Sequence, residues 1–193
     1  MTIQRIDRTA PQEQGRWRRE VLGSLSGTVL DVGAGSGASA DFLPAGVTWL
    51  ALEPAPSRRL ERAVAGRARS RLLTAGAERL PLGDATIDAV VCSTVLCSVD
   101  DPPRALAEAR RVLRRGGSLV FFEHVGAAPG SGARRVQGLI APLTRRFGGG
   151  CDPRRDTAAE LRSAGFSTLE LRTLRTGGPL GGLAPVIEGR AVV

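Results

Sequence analysis

The sequence predicts an α/β fold: a doubly wound, mostly parallel sheet of seven strands that ends in an antiparallel pair at its C-terminal edge. Three observations carry this prediction. Short apolar or β-branched runs alternate with segments at helical spacing, a Gly-rich stretch follows the first such run, and the chain closes on two adjacent strand-like runs. With 193 residues and 42% hydrophobic side chains, there is material for one compact domain with a sizeable core, taken as residues 1–193.

The elements follow in order. Residues 1–10 are polar and expected to fray, whereas Trp17, Val21, Leu22 and Leu25 recur at helical spacing, so residues 1–25 are read as an N-terminal segment built on an amphipathic helix. Thr28 to Val32 is a strand that hands over, through Gly33-Ala34-Gly35-Ser36-Gly37, to the start of a helix. Val47 to Leu52 is a second strand ending at Glu53-Pro54, Ser57 to Ala68 an Arg-rich helix and Arg71 to Thr74 a weak third strand. Ile87 to Cys92, apolar except for Asp88, has the character of a central strand buried on both faces. Asp101-Pro102-Pro103 opens a helix through Leu113, with Asp as N-cap and Gly116-Gly117 beyond its end. Ser118 to Phe122 is a fifth strand. Residues 126–155, rich in Gly and Arg with a weak helical pattern around Val136 to Leu143, are expected to form a variable lid or substrate segment. A short helix from Asp156 to Ala164 precedes the final strands, Phe166 to Leu174 and Ala184 to Val192.

Charge and composition narrow the classes of function. All 27 basic residues are Arg, and Lys, Tyr and Asn are absent, so the net charge of +8 reads as Arg used generally on the surface rather than as a patch built for phosphates. The five Phe and two Trp offer few platforms for base stacking, which makes nucleic acid an unfavoured partner. No apolar run approaches the roughly 18 residues of a transmembrane segment. The first twenty residues lack the apolar core of a secretory signal, and the cytoplasm is the expected compartment. Three cysteines, Cys92, Cys97 and Cys151, show no zinc-ligand spacing, so reduced thiols and no metal are expected.

Gly33, Gly35 and Gly37 sit where a strand meets the following segment, and glycine lets backbone turn tightly and approach a ligand closely. With Ala38 the string also satisfies the dinucleotide pattern G-x-G-x-x-G/A. Asp31 precedes the loop, and Glu53 ends the second strand about twenty residues later, where a carboxylate can accept both hydroxyls of a ribose. Val29-Leu30-Asp31-Val32-Gly33-Ala34-Gly35-Ser36-Gly37 resembles the first motif of the class I S-adenosylmethionine-dependent methyltransferases, which share a Rossmann-like fold. The resemblance continues through Ala77-Glu78-Arg79-Leu80-Pro81, Ile87-Asp88-Ala89-Val90-Val91-Cys92-Ser93 and Arg110-Arg111-Val112-Leu113-Arg114-Arg115-Gly116-Gly117. It implies S-adenosyl-L-methionine as cofactor, S-adenosyl-L-homocysteine as product, and a binding set of Asp31, Gly33, Ala34, Gly35, Gly37, Glu53, Pro54, Ala77, Glu78, Cys92 and Ser93. Within that set Asp31 would act on the methionine portion, Glu53 on the ribose, and Ala77-Glu78 near the adenine.

A narrower resemblance, over residues 29–193, rests on Val91 to Val99, Phe122-Glu123-His124-Val125, Gly150-Cys151 and Pro185 to Val192. These strings look like the branch that holds the animal alkyl-thiol methyltransferases and bacterial phospholipid or quinone methyltransferase-like proteins. The implied acceptor is a small molecule, a thiol before an amine, quinone or phospholipid headgroup. The animal members carry an N-terminal membrane-attachment segment that is not seen here, so membrane association is not carried over.

His124, the single histidine, follows the fifth strand at the carboxyl edge and is the candidate catalytic base, with a purely structural histidine as the competing reading. Glu123 beside it should face the other side of the sheet. Cys92 and Cys97 are expected in the core or pocket wall, and nothing nearby marks Cys151 as activated. Asp101-Pro102-Pro103 is explained by helix initiation alone. An RNA methyltransferase, a non-catalytic cofactor-binding module and a nicotinamide dehydrogenase remain the competing functions, and the oligomeric state is open.

Overall fold

The computed structural model describes residues 3–147, 149–177 and 185–193. One eight-stranded sheet runs in the order β1-β7-β8-β6-β5-β2-β3-β4. Its parallel centre is β2 (Thr28–Val32), β3 (Thr48–Leu52), β4 (Ser70–Leu73), β5 (Ile87–Ser93) and β6 (Leu113–His124). The last strand, β8 (Val186–Val192), lies between β6 and β7 (Thr168–Arg175) and runs antiparallel to both. The expected start of β8 at Ala184 lies outside the described residues.

Alternation along the strands divides the core between the two faces. Leu30, Val32, Leu119 and Phe121 pack with Leu106, Val112 and Leu161, from the helices α3 (Pro102–Val112) and α5 (Thr157–Ser163). Val29, Val91, Val120 and Phe122 face Trp17 and Leu60, from α1 (Ala10–Val21) and α2 (Arg58–Ala65). In β5, Ile87 shares a face with Val90 and Cys92 rather than with Ala89, because a register irregularity falls between Ile87 and Ala89.

The eighth strand is an addition to the expected seven. Residues 3–5, read as part of a frayed terminus, form β1 (Ile3–Arg5) and pair in parallel with β7. The amide of Ile6 donates to Arg175 O at 3.1 Å and extends the ladder, so an otherwise unpaired edge supplies bonds that local polarity does not advertise. The helix expected after the Gly-rich loop also differs, since residues 35–42 form successive turns. Gly37 N bonds Ala34 O, Ala40 N bonds Gly37 O and Phe42 N bonds Ser39 O. Gly33, Gly35 and Gly37 all hold positive φ, and Pro44 follows too soon for a regular helix to nucleate.

The third difference is α4 (Gly132–Phe147), a 16-residue helix in the segment with the weakest sequence pattern. Gln137 and Ala141 are its buried residues, while Leu139, Leu143 and Phe147 are 82%, 61% and 74% exposed. Gln137 anchors it by accepting from Ala127 N at 2.8 Å. Periodicity is hard to see in a helix whose buried stripe is a glutamine and an alanine.

The N-terminal helix is tied down more firmly. Trp17 packs on Phe122 with ring centroids 5.8 Å apart, and Arg16 donates with one nitrogen to both oxygens of the buried Glu188 on β8, each at 2.8 Å. This seating lays the helix on one face of the sheet and brings Gln14 and Arg18 to Ser93 at the carboxyl end of β5. Among the described residues no helix is long and apolar enough to cross a membrane.

Candidate functional site

Parallel strands deliver their carboxyl ends to one side of the sheet, and a cavity of about 530 Å³ opens there. Of the residues singled out from sequence, Gly33, Gly35, Glu53, Pro54, Ala77 and Glu78 line it. Gly33 holds φ +64, and a Cβ there would lie 2.3 Å from Val95 Cγ2, so the loop can rest against the chain after β5 only without a side chain. Gly35, at φ +57, has no comparable neighbour: a Cβ would meet only Gly33 O, at 3.8 Å, and would project beside the cavity. Its amide donates to Glu53 Oε2 at 2.9 Å, which holds the carboxylate at the cavity edge. Glu78 is fixed in turn, its Oε1 accepting from Asp100 N at 3.0 Å and Asp101 N at 3.4 Å at the start of α3.

The other five residues of that set lie off the cavity wall. Ala34 is buried in the α1/α2 face of the core, and Gly37 packs under α2, where a Cβ would stand 2.9 Å from that of Ala63. Cys92 is core, its thiol pushed well up first by burial and then by the Glu123 and Asp31 carboxylates. Ser93 Oγ accepts from Gln14 Nε2 at 3.1 Å and from Arg18 Nη2 at 3.5 Å, so its partners come from α1.

Asp31 sits beneath the loop, 1% exposed, accepting from Trp49 Nε1 at 3.3 Å. Burial pushes its carboxyl up to about 6, against the opposing pull of hydrogen bonds from Ser39 and Trp49 and the charge of Arg18. Arg18 is in turn held below its usual value by burial, with Asp31 as the charge that favours it. This Arg is a residue that sequence reasoning missed. It has the look of one more cation on an amphipathic helix, yet it lies over Ser93 and Asp31 with a buried Nε that has no partner.

The loop after β5 also contributes more than its sequence suggests. Thr94, Val95, Ser98 and Asp100 join the cavity wall, and Thr94 adopts φ +61, rare for a β-branched residue. Glu123 holds this loop in place, for its Oε1 accepts from Val95 N at 2.9 Å and from Leu96 N at 3.1 Å. Fully buried, its carboxyl is pushed up to about 8, chiefly by desolvation.

His124 does not line the cavity. It projects from the end of β6 into a group with Cys97 and Cys151, whose sulfur and nitrogen ligand atoms all lie within 4.8 Å of one another. The hydrogen bond with Cys97 raises the imidazole above its usual value, against burial. Interaction with Cys151, then burial, pushes the Cys97 thiol up, and the same contact draws Cys151 down. Spacing gave no hint of this meeting, because each of the three comes from a different element.

A crevice at the carboxyl ends of parallel strands, with glycine backbone on one side and a fixed carboxylate on the other, defines a nucleoside-type cofactor site. Residues 30–121 match the family of methyltransferase domains. The chain is 35% identical over 191 residues to the human protein named thiol S-methyltransferase TMT1B, covering 91% of this chain and 78% of that one. A SAM-dependent methyltransferase from Thermotoga maritima superposes with a TM-score of 0.63 at 25% identity, over 94% of this chain and 95% of that one. The 1,6-didemethyltoxoflavin-N1-methyltransferase of Burkholderia thailandensis, solved with S-adenosylhomocysteine, shares the fold with a TM-score of 0.66 at 20% identity, over 97% of this chain and 80% of that one. The chain belongs to the class I S-adenosylmethionine-dependent methyltransferase family. It is therefore an enzyme, and its cofactor is S-adenosylmethionine. The cavity fits that group in size, in the close approach of bare backbone at Gly35, and in the carboxylate that Glu53 offers.

Two measurements probe these assignments. Replacing Glu53 by Ala should weaken S-adenosylhomocysteine binding by about 10- to 150-fold, the equivalent of roughly 1.5–3 kcal/mol for charge-assisted hydrogen bonds. Unchanged affinity by calorimetry would remove Glu53 from the ribose. For Asp31, the folded carboxyl titrates near 6 against an ordinary 3.8, so the folded chain binds the extra proton and stability falls as pH rises through that window. The loss totals about 3 kcal/mol. In the ligand-free Asp31→Asn protein this slope should disappear from denaturation curves taken across the window. Parallel pH profiles for both proteins would show that Asp31 is ionised without penalty.

Proposed function

We propose that the chain transfers the methyl group of S-adenosylmethionine to a small-molecule thiol. The observation that carries this proposal is the makeup of the cavity wall beyond the glycine loop. It is formed by Thr94, Val95, Ser98, Val99 and Gly149, which are apolar or hydroxyl-bearing, and among the described residues it offers no uncommitted buried base. Glu53 and Glu78 are engaged by backbone amides, and Asp100 is exposed at the mouth. A thiol, with a pKa of about 8.5, reaches its nucleophilic form without a dedicated base, whereas hydroxyl and carbon acceptors need one. The thiol S-methyltransferase name of the human relative supports the same choice.

The cofactor supplies an activated methyl group on a sulfonium centre, so the protein contributes mainly positioning. Glu53 would accept the ribose hydroxyls, exchanging its bond to Gly35 N for them, while Gly33 and Gly35 let backbone approach closely. Arg18, above Ser93 and Asp31, provides a positive charge at the base of the loop for the amino-acid carboxylate. Val95 and Ser98 would form the wall against which the acceptor lies in line with the methyl group. The proton of the thiol goes to solvent and is not routed through His124, whose ring is engaged with Cys97 outside the wall. The compartment that suits this chemistry is the cytoplasm, where the three cysteines stay reduced.

A methyl-transfer panel of alkyl thiols, thiophenols, amines and phenols with labelled cofactor tests the proposal. Thiols should turn over at least about tenfold faster than the other classes. Their rates should climb with pH up to the pKa of each thiol, so acidic thiophenols level off at lower pH than alkyl thiols. Methylation of amines or phenols with thiols left untouched would overturn the proposal.

A further inference from the structure

We propose that Cys97, His124 and Cys151 form a binding site for a single zinc ion at the edge of the cofactor cavity. The three ligand atoms already lie within 4.8 Å of one another. A tetrahedral zinc bound to two sulfurs and an imidazole nitrogen needs separations of about 3.5–3.8 Å, so closure asks for roughly an ångström of side-chain movement. The donor set is selective: two thiolates and an imidazole suit zinc and not the oxygen-seeking magnesium or calcium.

The backbone holds the three elements together independently of the side chains. Asp152 N donates to Cys97 O at 2.9 Å, which pins the loop after α4 to the loop after β5. A Cβ at Gly150, itself at φ +86, would lie 3.2 Å from Ser98 O, so Cys151 enters the group over bare backbone. His124 is fixed from the other side, as β6 pairs it with Val186 and Val125 N donates to Pro185 O at 3.0 Å.

The surrounding charges are compatible with a cation. The buried Glu123 carboxylate, next in sequence to His124, has one oxygen on the amides that lead to Cys97 and a second, Oε2, with no hydrogen-bond partner. A cation in the group would favour ionisation of that buried carboxyl. Arg155, the cation closest in sequence to Cys151 after Arg154, directs Nη1 to Leu96 O at 2.8 Å and Val99 O at 2.6 Å, while Arg154 holds Asp152 at 2.9 Å. Three protein ligands leave the fourth tetrahedral position for water or an exogenous ligand. The neighbours of two ligands, Ser98 and Gly149-Gly150, bring that position close to the cofactor cavity, because Ser98 and Gly149 line it.

The site does not depend on the identity of the acceptor, and its test reads metal rather than turnover. The full chain, reduced and stripped of metal, is titrated with Zn²⁺ against a chromophoric chelator and, separately, with Co²⁺. One zinc per chain should bind, and cobalt should give the intense visible bands of a tetrahedral thiolate complex. Cys151→Ser, at a half-buried loop position, should lower zinc affinity by about a hundredfold or more, as should His124→Gln, while Cys92→Ala should bind as the parent does. Zinc should also raise the melting temperature of the parent but not of Cys151→Ser, which keeps the test readable if a variant folds less well. Equal zinc affinity in parent and Cys151→Ser would overturn the proposal. So would a Cys97–Cys151 disulfide by mass spectrometry in protein that takes up no zinc once reduced.

Discussion

The site depends first on the parallel pairing of β2 between β3 and β5. That register places Asp31 opposite both Ala51 and Val91, and it brings the ends of three strands to one level. A shift of one residue would turn Leu30 and Val32 to the wrong face and carry Asp31 out of its place beneath the loop. Everything that touches the cavity follows from this alignment. The Gly-rich turn rises from β2, Glu53 leaves β3 within reach of Gly35, and the chain leaving β5 packs Val95 against Gly33.

Buried acidic groups are used around the cavity where an apolar core would have been simpler. Asp31 and Glu123 are both almost wholly removed from water, and in each burial raises the carboxyl above its usual range. Both carboxylates also fix local geometry, since Asp31 meets Trp49 and faces Arg18, and Glu123 holds two successive amides of the β5 loop. Such groups cost stability and return orientation. Their placement at the carboxyl edge, where the cofactor and acceptor would meet, is consistent with a protein whose main catalytic contribution is alignment. The N-terminal helix belongs to the same arrangement, since Arg16 on Glu188 and Trp17 on Phe122 bring Gln14 and Arg18 onto Ser93.

The central strands and most of the helices were legible because their patterns are local. Short β-branched or apolar runs marked β2 and β5, Asp101 stands as the N-cap its position suggested, and Glu53 could be placed by its distance from the loop. What was hidden depends on contacts distant in sequence. β1 exists because β7 has a free edge, and α4 hides its docking stripe in Gln137 and Ala141. Arg18 differs from the other arginines only by what lies under it. The meeting of Cys97, His124 and Cys151 requires three elements to converge, which no spacing rule can show.

If the cavity over β2, β3 and β5 holds S-adenosylmethionine with its ribose on Glu53, a crystal structure of the chain with S-adenosylhomocysteine will show it without intermediate inference. Both ribose hydroxyls should lie on the Glu53 carboxylate, with the adenine against Ala77 and the glycine loop along the amino-acid portion. Adenosine bound in another cavity, or in this one with Glu53 still on Gly35 N and no ribose contact, would contradict that placement.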